Sequence, residues 1–100
     1  MADFTVEALG DGAYAVAGRM DFDTVPDMLT ASQAWFDEDR DIRVDLAGVT
    51  SANSAGMALL IEWRALAAKQ GRTITFTEMP TQIRHLADVC RINEILTDHA

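Results

Sequence analysis

Between Ile42 and Ala68 the apolar residues change their spacing once, and no other feature restricts the folds open to this chain as strongly. Ile42, Val44 and Leu46 alternate with Arg43 and Asp45, the two-residue period of a half-buried strand. After the small and polar stretch Ala47 to Asn53, read as a loop, helical spacing sets in at Met57, Leu60, Ile61, Arg64, Leu66 and Ala68. Gly71 stands where a left-handed residue ends a helix. A strand that feeds a long apolar helix requires a sheet for that helix to cover.

The same switch recurs on both sides. Upstream, Phe4, Val6 and Ala8 alternate with Thr5, Glu7 and Leu9, and Gly10-Asp11-Gly12 separates them from Tyr14 to Gly18. This predicts a hairpin. Val25, Met28, Leu29, Trp35 and Phe36 then follow helical spacing, with Asp23 or Thr24 as cap and Pro26 in the first turn. The helix is expected to fray at Asp37-Glu38-Asp39, where its dipole disfavours carboxylates, leaving a solvated corner. Downstream, Ile74 and Phe76 face inward from a strand at Thr73 to Thr77, and Pro80 opens a helix striped by Ile83, Leu86, Ala87 and Cys90. Ile95 and Leu96 are expected to close the core. The order β-β-α-β-α-β-α predicts an α/β fold: a mixed, mainly parallel four-stranded sheet with an N-terminal hairpin, covered by three to four helices, in one domain over residues 1–100.

Charge narrows the function. With 16 acidic against 8 basic side chains the net charge is −8, a field that repels nucleic-acid phosphates and anionic headgroups. The apolar run Met57 to Ile61 is interrupted by Glu62 and Arg64, far short of the roughly 20 residues that span a bilayer, so no membrane insertion is expected. The N-terminal Met-Ala-Asp-Phe-Thr-Val-Glu has no basic region followed by an apolar one, and Cys90 is the sole cysteine. Both point to the cytoplasm.

Catalytic signatures are scarce. Gly10-Asp11-Gly12 lies in a hairpin turn, so neither a dinucleotide fingerprint nor a Walker loop is present, and no cofactor is expected. His85, His99 and Cys90 lack metal-ligand spacing; His85 is read as a helix surface residue and Cys90 as core. A hydrolase triad of Ser54, His85 and Asp45 can be written down, but G-x-S-x-G is missing around the serine. What remains is the strand-to-helix junction. Ser51, Asn53 and Ser54 gather where helix amides have no partner, so Ser51 or Asn53 can cap and Gly56 can let the helix approach the sheet. Capping leaves Ser54 at the first helical position with its hydroxyl on the rim, available as a contact or as a phosphate acceptor.

Asp45-Leu46-Ala47-Gly48-Val49 followed by Asn53-Ser54-Ala55-Gly56-Met57 resembles the hallmark of STAS domains, the sulfate-transporter and anti-sigma-factor-antagonist family: Asp-Leu-Ser-x-Val, a gap, then Asp-Ser-x-Gly-Leu. Gly18-Arg19-Met20-Asp21-Phe22-Asp23-Thr24-Val25-Pro26 is similar to the family's loop after the second strand. Ala58-Leu59-Leu60-Ile61-Glu62-Trp63, Gly71-Arg72 and Leu86 to Leu96 extend the likeness over nearly the whole chain. The loop and the Ala-Leu-Leu-x-Glu-Trp helix resemble one branch, the MlaB-like STAS subunits of the Mla phospholipid ABC transporter of Gram-negative bacteria. That resemblance implies the STAS fold and a non-enzymatic cytoplasmic subunit, peripheral to the inner membrane, that binds an ABC transporter ATPase (MlaF-like). It would thereby help maintain outer-membrane lipid asymmetry without touching lipid. It implies contact through Ser54, Asn53, Ala55, Gly56 and Met57 together with Asp21, Phe22, Asp23 and Thr24. The alternative partner is an anti-sigma serine kinase, with Ser54 as phosphoacceptor. Asn53 stands where the family has aspartate and Met57 where it has leucine, and the missing carboxylate weakens phosphorylation more than docking.

Overall fold

Three of the four strands end on one edge of the sheet, and the topology explains why. The computed structural model describes residues 3–90. Strands β1 (Phe4–Gly10), β2 (Ala13–Met20), β3 (Ile42–Ala52) and β4 (Ile74–Thr77) form one sheet in that order. β1 pairs with β2 antiparallel, whereas β2 with β3 and β3 with β4 are parallel. Helices α1 (Val25–Ala31) and α2 (Ser54–Lys69) make the two returns that parallel pairing requires, and α3 (Thr81–Cys90) follows β4. The expected mixed sheet, hairpin and helical cover are all present. The hairpin turns through Gly10, Asp11 and Gly12, all with positive φ, the conformation that glycine permits most readily.

Alternation builds the core. Tyr14, Val16, Ile42, Val44, Leu46 and Ile74 point to the helices and are buried, while Thr5, Glu7 and Arg43 lie on the other face and are exposed. Against this face pack Met28 from α1, Leu59, Leu60, Trp63 and Ala67 from α2, and Ile83 and Ala87 from α3. Each large side chain so buried contributes roughly 1.5–3 kcal/mol. Among the described residues no helix is long and apolar enough to cross a membrane.

Three expectations are corrected. The stretch Ala47 to Ala52 continues β3 instead of forming a loop: it pairs with β2 as far as Met20↔Ala52, through two register shifts. Its side chains are largely exposed, so backbone pairing holds it as strand without an apolar pattern to announce it. Ser51 is therefore a strand residue and no cap. The first helix stops at Ala31, and a separate 3-10 turn, Gln33–Phe36, carries Trp35 into the core. Cys90 is exposed, because burial along α3 ends at Ala87. The expected closing pair Ile95 and Leu96, and His99, lie outside the described residues.

The broken first helix has a tertiary cause. Trp63 is fully buried, and its indole N–H donates to Ser32 Oγ at 2.7 Å. Ser32 Oγ in turn donates to the Leu29 carbonyl at 2.8 Å. The tightened turn after Ser32 stacks Trp35 on Tyr14 at 4.6 Å between ring centroids and sets it 4.8 Å from Trp63. Each aromatic pair is worth about 0.5–1.5 kcal/mol beyond burial, whereas an orphaned indole N–H costs about 1–3 kcal/mol, so the hydroxyl matters as much as the stack. Ser32→Ala is expected to lower unfolding free energy by about 1–3 kcal/mol in denaturant titrations, with Ser32→Thr retaining more of it than alanine does. An alanine variant as stable as the wild type would remove Ser32 from this role.

Candidate protein-interaction site

Parallel pairing of β2 with β3 makes neighbours of two turns that are distant in sequence. Met20, the last residue of β2, lies opposite Ala52, the last of β3, and the Asn53 amide donates to the Met20 carbonyl at 3.2 Å. The turn Asp21 to Thr24 and the opening of α2 therefore share one rim.

At the opening of α2, Asn53 has extended backbone, and its Oδ1 accepts from the Ala55 amide at 2.9 Å. This satisfies one of the first amides of the helix, as expected of an N-cap. Ser54 is the first helical residue and is exposed, while Met57, one turn on, is half-buried. Gly56 sits against β2: a Cβ there would lie 3.0 Å from Met20 Cβ and 3.1 Å from the Met20 carbonyl oxygen. A side chain there would fit only if Met20 or the helix gave way by a few tenths of an ångström.

The neighbouring turn is held by two side chains, Asp21 and Thr24. Asp21 Oδ1 accepts from the amides of Asp23 at 2.9 Å and Thr24 at 3.1 Å, and Asp21 Oδ2 pairs with Arg19 at 3.1 Å. Thr24 is the N-cap residue of α1, but its hydroxyl donates to the Arg19 carbonyl at 2.7 Å and makes no capping bond. Desolvation raises the Asp21 pKa. The amides of Asp23 and Thr24, the Arg19 charge and the Thr24 hydroxyl together outweigh it and hold the carboxyl below its ordinary value. Phe22 and Asp23 at the tip are exposed.

Not every expected contact residue can touch a partner. Thr24, Ala55 and Gly56 are buried, so they shape the surface from beneath; Ser54, Phe22 and Asp23, with Asn53, Met57 and Asp21 in part, form it. The sequence reading also missed a wall. Thr81, Gln82, His85 and Leu86 of α3 face Ala52, Asn53 and Ser54 across an open groove of about 780 Å³. Their helical spacing was visible, but which helix they would face was not. Ser54 and His85 share this groove, yet no hydrogen bond joins them among the described residues, and Asp45 Oδ1 accepts from the Ala47 amide at 2.9 Å. The triad written down from the sequence is not assembled.

A family model described as "Mlab, STAS domain" matches residues 6–97. An antisigma-factor antagonist STAS domain from Rhodobacter sphaeroides superposes with a TM-score of 0.67 at 18% identity, covering 81% of this chain and 96% of its own. The anti-sigma factor antagonist SpoIIAA in its unphosphorylated form superposes with a TM-score of 0.72 at 11% identity, covering 97% and 88%. No curated protein sequence matches the chain significantly.

The lowered Asp21 pKa makes the rim turn acid-sensitive. Its stabilisation is complete above the ordinary value of 3.8 and is lost as pH falls through the lower folded value. In an NMR titration the amides of Asp23 and Thr24 should move together with the Asp21 carboxyl, with a midpoint below 3.8. Asp21→Asn should abolish that shared transition. Independent midpoints for the two amides would show that Asp21 does not hold the turn.

Proposed function

The chain belongs to the STAS domain family, and from that premise we propose that it is a non-enzymatic subunit that docks on the cytoplasmic ATPase of a phospholipid-transporting ABC complex of Mla type. There it supports assembly or activity of the complex and so helps maintain outer-membrane lipid asymmetry. One observation carries the reading: the exposed hydroxyl of Ser54 opens α2 on the rim that also carries the exposed tip of the Asp21 to Thr24 turn. A rigid scaffold with exposed turns at one end suits recognition of another protein. The Mlab description of the matching family model favours this branch of the family. The acidic charge repels anionic headgroups, so the subunit reaches the inner membrane through its partner.

A second reading has its own support. Ser54 is open to a kinase at a helix N-terminus, and the two solved structures described above are anti-sigma factor antagonists. In that role the chain would sequester an anti-sigma serine kinase until Ser54 is phosphorylated. Asn53, where the family's motif has aspartate, favours docking over this switch.

Co-purification with a tagged ABC ATPase from the same organism separates the two. Wild type and Ser54→Ala should be retained, while Ser54→Glu and Met57→Arg should each weaken the complex at least about tenfold by placing an unpaired charge in the contact. If neither charged variant weakens it, this face is not the contact. Incubation with a cognate serine kinase should leave the intact mass unchanged; a single phosphate mapped to Ser54 would support the second reading instead.

A further inference from the structure

Phe22 is 70% exposed at the tip of its turn, the most exposed large apolar residue among those described. Leu9 at 54% lies by the hairpin turn at the other end of the sheet, and Val89 at 68% lies at the far end of α3. Phe22 alone of the three sits on the proposed docking rim.

The turn that carries it is braced. Besides the bonds to Asp21 Oδ1, the Asp21 amide donates to Thr24 Oγ1 at 3.0 Å and the Val25 amide to the Asp21 carbonyl at 2.9 Å. An aromatic side chain has few rotamers, so a fixed backbone beneath it lowers the ordering cost of inserting it into a partner. Exposed aromatic residues on rigid turns fit the anchors that dominate protein interfaces.

The charges around it are one-sided. Asp23, next to Phe22, and Asp27, in the first turn of α1, are exposed, and among the described residues neither has an ion-pair partner. Arg19, the nearest cation in sequence, is taken by Asp3 and Asp21, each at 3.1 Å. An anionic bilayer would be repelled by this patch, whereas a basic protein surface would be attracted. We infer that Phe22 is a preformed anchor for an apolar pocket rimmed by Lys and Arg on the partner protein. The inference rests on the docking function proposed above and names the chemistry of its partner surface.

Binding kinetics of the purified chain on the immobilised ATPase subunit, read over a series of salt concentrations, test it. Phe22→Ala should weaken binding by about 30-fold or more, chiefly through faster dissociation, and Phe22→Trp should retain it. Asp23→Asn with Asp27→Asn should slow association about tenfold at low salt and flatten its salt dependence. Thermal melts of each variant check that the fold is intact. Wild-type binding that Phe22→Ala leaves unchanged overturns the anchor alone, and a salt slope that the Asp variants leave unchanged overturns the basic rim. Phe22-dependent co-sedimentation with phosphatidylglycerol vesicles would also overturn it, by making the aromatic a lipid contact. A wild type that binds no ATPase sinks the docking function and this inference together.

Discussion

Parallel strands cannot be joined by a short turn; the chain must travel back across the sheet before it can run beside itself again. That requirement, met between β2 and β3 by α1 and the 3-10 turn, puts the C-terminal ends of both strands on one edge. β4 adds a third end through α2, so α3 also begins there. The rim is thus a product of connectivity, and the residues on it are free to vary in chemistry while their arrangement persists. Helices that begin on such an edge direct unpaired amides toward it, which favours small polar residues like Asn53 and Ser54 at that place.

Behind the rim, the described helices pack against one face of the sheet, and the core among the described residues lies in that layer. Tyr14, Trp35, Trp63 and Phe76 run through that layer as a chain of ring contacts, with centroid spacings of 4.6, 4.8 and 6.4 Å. Ser32 gives the indole of Trp63 a polar partner that an apolar layer otherwise lacks. On the other side of the cluster, Arg64 donates to the Ile74 carbonyl at 2.9 Å and ties α2 to β4.

Much of this was legible because period and punctuation agree in this chain. The hairpin, α2 with Asn53 before it and Gly71 behind it, β4, and the buried Ile83 and Ala87 of α3 follow from spacing alone. The shared rim is a consequence of the β-α-β order and needs no knowledge of packing. What escaped was tertiary in origin. The second half of β3 carries Gly48, Thr50 and Ser51, residue types that say loop while pairing with β2 says strand. The end of α1 depends on Ser32 meeting a tryptophan 31 residues away. Periodicity placed Cys90 on the right stripe but could not say where the core runs out. The α3 wall facing Ser54 needed the docking of two helices that the pattern leaves unordered.

Gly56 carries a mechanical consequence. With Met20 directly beneath it, the first turn of α2 has no slack toward the sheet, and Asn53 is tethered to the same residue through its amide. A load applied at Ser54 meets a stop instead of a spring. Bulk added at that hydroxyl therefore finds no room by moving the turn toward β2, and the outline and charge of the rim change instead.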